Sequence, residues 1–167
     1  MTVRCGEGPD RFQHRREAAA LRTAESWFAA AHGAYEAVWF GSPTDTDFDA
    51  AAPFFHGRWD AAAEERAARE VEQTNEPAAD IHASSGAFDP AATRAALAGF
   101  EAPVLVLAGE LDSNPRPRTA TDTATLFPHA EVTVQPGAGH FPWLDDPVRF
   151  AQTVAAFLSQ GRADSIR

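Results

Sequence analysis

The sequence PVLVLAGELD, residues 103–112, carries the strongest indication of the fold class. Its VLVLAG core is a continuous apolar run, which is typical of a strand covered on both faces, as in a parallel sheet. About one helix later AEVTVQ, residues 130–135, predicts a second strand. Each strand runs into a polar, glycine-flanked turn that presents one ionisable side chain. This residue is Asp112 after the first strand and His140 after the second.

The segments around the two strands predict helices. In FDPAATRAALAGF, Asp89 can serve as N-cap, Pro90 fits the first helical position and Gly99 can end the helix. A further helix is predicted between the strands, and a last one begins with Asp146 as cap and Pro147 in its first turn. This alternation with short connections predicts two parallel neighbouring strands joined by a right-handed crossover.

The first half of the chain is predicted to be helical. Apolar residues, Leu21 among them, recur at helical spacing from Arg16 to Trp39, which predicts one amphipathic helix. A short helix ending in a loop is predicted in GSPTDTDFDAAAPFFHGRW, and a polar helix from about Trp59 to Gln73, broken by TNEP. Because no strand separates these helices, they predict a small helical layer lying on another part of the molecule.

Length and composition are those of one soluble globular domain, with 167 residues, 44% of them hydrophobic and 23% charged. The net charge of -10, without a basic block, excludes nucleic acid as a partner. No run of apolar residues is long enough for a membrane span, and the charged beginning lacks a signal peptide, so we expect a cytoplasmic protein without a membrane partner. The single cysteine, Cys5, excludes an internal disulfide and indicates a reducing compartment.

Asp112 and His140 have the chemistry of two members of a catalytic triad. The carboxyl ends of parallel neighbours lie at the same edge of a sheet, which predicts that both side chains share one rim. There the carboxylate can fix the imidazole tautomer while the imidazole takes a proton from a hydroxyl. Glu110, one position into the turn, is the less suitable acid. We predict no metal site, since a third ligand is lacking and Asp145 and Asp146 are explained as helix-start residues.

These features resemble the C-terminal part of the α/β-hydrolase fold, in particular hydrolases similar to proline iminopeptidases. PVLVLAGELD, a following strand, GAGHFPWLDDP and a final amphipathic helix carry the resemblance, from about Asp89 to Leu158. It implies that Asp112 is the acid and His140 the histidine of a Ser-His-Asp triad. It also implies hydrolysis of an ester or amide bond in a small-molecule or peptide substrate, without a cofactor.

The resemblance implies three regions. Residues 1–88 correspond to an N-terminal tail and a helical cap, and residues 89–160 to the C-terminal part of the α/β core. Residues 161–167 correspond to a tail that we expect to be frayed, because the last helix is predicted to end before Gly161. The expected fold class is therefore α/β, a partial α/β-hydrolase fold with a helical cap followed by the last two parallel strands and flanking helices.

Some residues of the cap-like region are candidates for substrate contacts. Trp39, Phe55 and Trp59 could line a pocket, but core packing is the explanation that we favour for aromatic residues of this kind. An aminopeptidase would also need an acid in the cap to hold the free amino group of its substrate, and the sequence does not select among its candidates. These candidates are Glu17, Glu25 and Glu36.

The sequence departs from the family at the nucleophile. It contains no G-x-S-x-G, and it lacks the earlier strands and the HGGG-like loop that builds the oxyanion hole. The closest string is HASSG, where Gly86 follows Ser84 by two positions, but His82 replaces the first glycine and the preceding NEPAADI has no strand character. We expect Ser84 to lie in a loop leading to the Asp89 helix, and the nucleophilic serine to be missing from this chain.

Two hypotheses of function follow. In the first, His140 acts as general base, oriented by Asp112, for a serine that this chain does not contain. The alternative is a non-catalytic truncated fragment, or a docking subunit that needs an N-terminal half. A sheet of two parallel strands leaves an edge unpaired, which predicts self-association or strand addition by such a half. On either hypothesis we expect the isolated chain to be inactive.

Overall fold

The computed structural model describes residues 11–164, so Cys5 and residues 165–167, to which predictions were also attached, lie outside the described residues. The first half contains five helices and a 3-10 turn, which together we call the helical layer. In chain order they are α1 (Arg11–Ala20), α2 (Phe28–Phe40), α3 (Asp45–Ala51), the 3-10 turn Ala52–Phe55, α4 (Ala61–Gln73) and α5 (Glu76–Ala83).

The second half alternates helices with two strands. In chain order its elements are α6 (Pro90–Ala98), β1 (Val104–Gly109), α7 (Pro117–Ala124), β2 (Ala130–Gln135), α8 (Pro142–Asp145) and α9 (Pro147–Asp164). β1 and β2 pair in parallel, from Val104 opposite Ala130 to Gly109 opposite Gln135. The predicted parallel pair with a helix between its strands is thus confirmed, and the fold belongs to the α/β class.

The two strands stay joined beyond their last paired residues. The N–H of Glu110 donates to the carbonyl of Gln135 at 3.0 Å, and the N–H of Leu111 donates to the carbonyl of Ala138 at 2.8 Å. The turns that follow β1 and β2 therefore remain side by side, which determines where the candidate site forms.

Both helix starts predicted around the strands are confirmed by their capping bonds. One carboxylate oxygen of Asp89 accepts the N–H groups of Ala91 and Ala92, each at 3.0 Å, so Asp89 caps α6 as expected. In the same way an oxygen of Asp146 accepts the N–H of Arg149 at 3.0 Å and caps α9. In both helices a proline follows the cap, where its missing N–H removes no helical hydrogen bond.

The predicted end of the last helix is wrong, because α9 continues past Gly161 to Asp164. A single glycine in a helix costs only about 1 kcal/mol relative to alanine, which is too little to stop an 18-residue helix.

The predicted single helix from Arg16 to Trp39 is also wrong. α1 ends at Ala20, α2 begins only at Phe28, and the residues between them form turns. These turns leave the apolar Leu21 67% exposed and bury Arg22, which is 2% exposed. The buried guanidinium donates to the carbonyls of two residues of a distant segment, described below, and such tertiary hydrogen bonds override the local hydrophobic pattern.

One helix was not predicted at all. α5 begins after Asn75, whose side-chain oxygen accepts the N–H of Ala78 at 3.1 Å, and Pro77 lies in its first turn. The string TNEP does end α4, but asparagine at the cap and proline in the first turn also favour the start of a new helix.

The main hydrophobic core lies in the helical layer rather than against the sheet. Its buried members are Ala19, Ala31, Tyr35, Ala51 and Phe54. Trp27 and Tyr35 pack on Phe54, with ring centroids 4.9 and 4.3 Å apart. The side chains of β1 and β2 are mostly only half-buried, so aromatic packing within the helices contributes much of the apolar burial.

Candidate active site

The acid and the histidine predicted from sequence lie side by side. The Nδ1 atom of His140 is 3.0 Å from Oδ2 of Asp112. The two strands end at paired residues, Gly109 and Gln135, and the two side chains follow three and five residues later. The structure therefore brings both residues to one edge of the sheet, as parallel neighbours require.

The turn after β1 orients the carboxylate of Asp112. Asp112 is 5% exposed, and its N–H donates back to the carbonyl of Gly109 at 3.2 Å. Its Oδ1 atom accepts the N–H of Asn114 at 2.8 Å, which is the Asx-turn pattern of aspartate. One carboxylate oxygen is thus held by the turn, and the other is left for His140.

The pairing with Asp112 raises the pKa of His140. The hydrogen bond to Asp112 is the largest cause, burial of the imidazole opposes it, and the negative charges of Asp112 and Glu70 add to the increase. An ionised carboxylate only accepts hydrogen bonds, so Nδ1 of His140 carries the proton and Nε2 of the neutral ring is the atom that can take another. The His140 side chain is 39% exposed.

The helical layer holds the backbone of His140. We call residues 136–141 the His140 loop and residues 55–57 the 55–57 segment. The N–H of His140 donates to the carbonyl of Phe55 at 2.7 Å. The ring centroids of Phe55 and Phe141 lie 6.4 and 5.1 Å from that of His140. The imidazole is therefore placed by contacts from both halves of the chain.

Asp145 departs from its expected role as a helix-start residue. Its Oδ2 atom accepts the N–H of Gly139 at 2.8 Å and the N–H of Gly57 at 3.0 Å. The carboxylate thus joins the His140 loop to the 55–57 segment. No local pattern could have shown this, because Gly57 lies 88 positions away in sequence.

Two glycines are required where the 55–57 segment meets the His140 loop. A Cβ atom on Gly139 would lie 2.5 Å from the carbonyl oxygen of Phe55, and one on Gly57 would lie 2.1 Å from that of Gly137. Both distances are far below van der Waals contact with rigid backbone atoms. The backbones can approach this closely only because both residues lack a side chain.

Arg22 holds the other side of the 55–57 segment. Its guanidinium donates to the carbonyl of His56 at 2.9 Å and to that of Gly57 at 3.3 Å, and it lies 4.8 Å from the ring centroid of Trp27. Burial is the largest influence on its pKa and lowers it, while the nearby charges of Glu25 and Asp145 act in the opposite direction. Arg22 was missed from sequence, since arginine in an amphipathic pattern is normally solvent-facing.

The helices α1 and α2 also contact the turn that carries Asp112. The guanidinium of Arg15 donates to the side-chain oxygen of Asn114 at 3.2 Å and stacks on Trp39, 4.1 Å from its ring centroid. The hydroxyl of Tyr35 donates to the carbonyl of Arg15 at 3.2 Å, and burial is the main cause that raises the pKa of Tyr35 to about 12. The acid is therefore supported by the helical layer as well.

Glu110 contributes to the site without contacting the imidazole. Its Oε2 atom accepts the N–H of Gly137 at 2.8 Å, so it braces the His140 loop from the turn after β1. The carboxylate that reaches the imidazole is that of Asp112, as expected from the sequence.

The structure places the aromatic pocket candidates close to this region. Trp39 and Phe55 pack against the hydrophobic core, with ring centroids 6.2 Å apart, and Phe55 also contacts His140. The ring of Trp59 lies tilted against that of His56, with centroids 5.2 Å apart. Core packing is thus observed for Trp39 and Phe55, while a role of these three residues in a substrate pocket stays a prediction.

The three glutamates considered for holding a substrate amine all have cationic partners. The pairs are Glu17 with Arg116 at 3.8 Å, Glu25 with Arg22 at 3.4 Å and Glu36 with Arg16 at 3.4 Å. A substrate amine would have to compete with an arginine at each position.

Ser84 lies at the end of α5 and is exposed. Its hydroxyl donates to the carbonyl of Ile81 at 2.7 Å, and among the described residues no hydrogen bond joins it to His140. The residue follows a helix, whereas the nucleophile of this architecture follows a strand. That Ser84 is not the nucleophile stays a prediction, and this geometry agrees with it.

The comparison with protein families agrees with the fold. Residues 3–153 match the model of the alpha/beta hydrolase family. Since the match spans most of the chain, this protein belongs to the alpha/beta hydrolase family. A search of curated proteins found no significant match.

Between residues 11 and 164, none of the helices combines the length and the apolar character that crossing a bilayer requires. In the same range, no cluster of three or more histidine, cysteine, aspartate or glutamate side chains is arranged to hold a metal ion.

Proposed function

We propose that this protein serves in the hydrolysis of an ester or amide bond, with His140 as general base and Asp112 as the residue that orients it. The observation that carries the proposal is the 3.0 Å hydrogen bond between Nδ1 of His140 and a buried carboxylate, in a chain of the alpha/beta hydrolase family. An acid and a histidine in this arrangement are two of the three groups that acyl transfer requires. The cytoplasm is the proposed location.

Proton transfer would run through the free nitrogen of the imidazole. Nε2 of His140 takes the proton of the attacking hydroxyl, and the carboxylate of Asp112 stabilises the imidazolium that forms. The same nitrogen then returns the proton to the leaving group. The raised pKa of His140 fits this role, because its main cause, the hydrogen bond to Asp112, stabilises the charged ring.

The attacking serine is proposed to lie outside these 167 residues. The sequence contains no G-x-S-x-G, and the hydroxyl of Ser84 is bound to the carbonyl of Ile81 at the end of a helix. A small-molecule or peptide substrate fits the general reaction. A more specific form of the proposed reaction is that of an aminopeptidase, similar to proline iminopeptidases. The arginine partners of the cap glutamates count against this form.

The second candidate is a non-catalytic fragment or docking subunit that binds an N-terminal half or a second copy of itself. Its support is the exposure of several large apolar side chains in the second half of the chain, which a partner could cover. The side chains concerned, with their exposed fractions, are Phe100 48%, Val134 39%, Trp143 48%, Val148 65% and Leu158 59%. In the described part of the chain, β1 and β2 pair only with each other, which leaves the outer edge of each strand for an added strand.

Hydrolysis of p-nitrophenyl acetate and proline p-nitroanilide by the purified chain tests the proposal. Because the serine is missing, we expect no enzymatic turnover of either substrate. The activated ester should show only the slow background reaction of an imidazole, which can attack it directly. His140→Ala should lower the ester rate by more than half. His129→Ala is the matched control, because His129 is an exposed histidine paired with Glu101.

The other outcomes decide between the candidates. If His140→Ala and Ser84→Ala both abolish hydrolysis of the anilide, Ser84 is the nucleophile and the proposal of an external serine is wrong. If His140→Ala and His129→Ala have equal effects on the ester, His140 has no special reactivity in this chain. The docking role then remains, and the concentration dependence of the sedimentation coefficient tests its self-association.

A further inference from the structure

We propose that Asp145 is a positioning residue for His140, whose carboxylate fastens the His140 loop to the 55–57 segment and so sets the distance between His140 and Asp112. The inference rests on the proposed role of His140 in proton transfer. Neither the fold nor the family match assigns this role to Asp145.

Asp145 takes part in a set of hydrogen bonds around the histidine. Oδ2 of Asp145 accepts the N–H of Gly139, the residue before His140, at 2.8 Å. The same oxygen accepts the N–H of Gly57 at 3.0 Å, and the N–H of His140 donates to the carbonyl of Phe55 at 2.7 Å. Bonds to an ionised carboxylate are stronger than neutral ones, so Asp145 provides the firmest link between the two segments.

The hydrogen bond between His140 and Asp112 tolerates little change in the position of the histidine. The hydrogen bond between His140 and Asp112 depends steeply on distance and angle, and a catalytic arrangement must be held within about 0.5 Å. Gly139 and Gly57 lie so close to the opposing backbone that neither could carry a side chain. Without a firm link, the two backbones would separate and carry His140 with them.

The negative charge of Asp145 interacts with the positive charge of Arg22. On the far side of the 55–57 segment the guanidinium of Arg22 donates to the carbonyls of His56 and Gly57. The negative charge of Asp145 opposes the effect of burial on the pKa of Arg22, so the two groups interact across the segment. The peptide group between them is therefore held from its carbonyl side by a cation and from its amide side by an anion.

The surroundings of the Asp145 carboxylate are not those that would maximise the stability of the folded protein. Its Oδ1 atom is buried, and within residues 11–164 no hydrogen-bond partner satisfies it. A buried carboxylate oxygen without a partner costs free energy, which is more readily explained by a requirement for position than by one for stability.

The test measures the imidazole of His140 directly by NMR in the full chain. The variants are Asp145→Ala, which removes the link, and Asp145→Asn, which keeps an acceptor oxygen but removes the charge. Asp146→Ala is the matched control, since the side chain of the neighbouring aspartate caps α9 and pairs with Arg149 of the same helix. The readouts are the pKa of His140, the signal of its Nδ1 proton and the exchange rates of the amide protons of Gly57 and Gly139.

We expect Asp145→Ala to lower the pKa of His140 towards its ordinary value, weaken the Nδ1 proton signal and accelerate exchange at Gly57 and Gly139 by about tenfold. Asp145→Asn should retain most of the pKa shift, and Asp146→Ala should change neither property. If Asp145→Asn retains the pKa shift of His140, the effect of Asp145 is one of positioning and not simply of charge, because both Asp145 variants remove the charge.

Two results would overturn the inference. One is an unchanged pKa of His140 in Asp145→Ala despite faster amide exchange at Gly139, which would make Asp145 a structural residue only. The other is an equal fall of the pKa in the alanine and asparagine variants, which would make the effect one of charge. If Asp145→Ala does not fold, a pKa of His140 in Asp145→Asn that falls fully to its ordinary value decides against the inference.

The test does not depend on hydrolysis. If His140→Ala leaves the ester rate unchanged while Asp145→Ala lowers the pKa of His140, the positioning role stands and the proposed function fails. If the ester rate depends on His140 but its pKa is insensitive to Asp145, the proposed function stands and the positioning role fails.

Discussion

The N–H of His140 donates to the carbonyl of Phe55 at 2.7 Å, so the histidine after the last strand is held directly by the helical layer. The acid is supported from the same side, because Arg15 in α1 donates to the side chain of Asn114, two residues after Asp112. Substitutions in the helices should therefore affect the candidate site, even where they lie far from it in sequence.

We expect Asp112→Asn to weaken the folded state mainly at acidic to neutral pH. Since pairing raises the pKa of His140, its contribution to stability is fully present below the pKa of an unfolded histidine, about 6.5, and is lost as the pH rises through the higher folded value. The effect should stay below about 1 kcal/mol, because solvent screens an imidazole that is 39% exposed.

Urea unfolding of both proteins from about pH 5.5 to about pH 8.5 measures this difference. The free energies of unfolding of the wild type and of Asp112→Asn should converge as the pH rises. A constant gap across the range would show that the pair does not contribute through the charge of His140.

Tyr35 should resist ionisation until the protein is strongly alkaline. It is the single tyrosine of the sequence, so the absorbance of its phenolate reports this residue alone. We expect titration near pH 12 in the folded protein and near the ordinary value of 10.0 in denaturant, because burial disfavours the phenolate. Stability should correspondingly fall as the pH rises between these values. Ionisation near pH 10 in the folded state would contradict the buried position of the hydroxyl.

Gly57→Ala should destabilise the protein by about 3 kcal/mol, because the new methyl group would meet the carbonyl oxygen of Gly137 at 2.1 Å. Gly33→Ala is the control: Gly33 lies in α2, nothing lies within 4 Å of the position that its methyl group would take, and alanine there should stabilise by up to about 1 kcal/mol. Thermal unfolding compares the two. Similar melting temperatures for both variants would refute the close approach at Gly57.

Arg22→Ala should cost about 3 kcal/mol, since it leaves the carbonyls of His56 and Gly57 without their donor and removes a cation that interacts with Asp145. Arg69→Ala should cost less than about 0.5 kcal/mol, because Arg69 is exposed and its ion-pair partner among the described side chains, Glu65, lies on the same helix. Denaturant unfolding separates the two arginines. Equal costs would mean that the buried guanidinium is dispensable.

The sequence predicted the parts of the fold that are governed by local signals. β1 and β2 were recognisable as apolar runs, and α6 and α9 by an aspartate followed by proline, because these signals act within a few residues. The juxtaposition of Asp112 and His140 was also predictable, since two neighbouring parallel strands end at the same edge. The assignment of their roles remains an interpretation from the resemblance.

The predictions that failed concern residues whose positions depend on contacts between distant segments of the chain. Leu21 looked like a core residue and Arg22 like a surface residue, but the turns after α1 reverse their exposure because two carbonyls of the 55–57 segment receive the guanidinium. Asp145 was missed for the same reason, as its partner Gly57 lies in the other half of the chain. A pattern of hydrophobic and polar residues does not contain this information.

The sequence separation of the two carboxylate contacts implies an order of assembly during folding. His140 and Asp112 are 28 positions apart, whereas Asp145 and Gly57 are 88 apart. Closing the longer loop costs about 1 kcal/mol more in chain entropy. We therefore expect the acid and the histidine to meet first, in a loosely aligned pair, and to gain their final alignment only when the 55–57 segment docks late in folding.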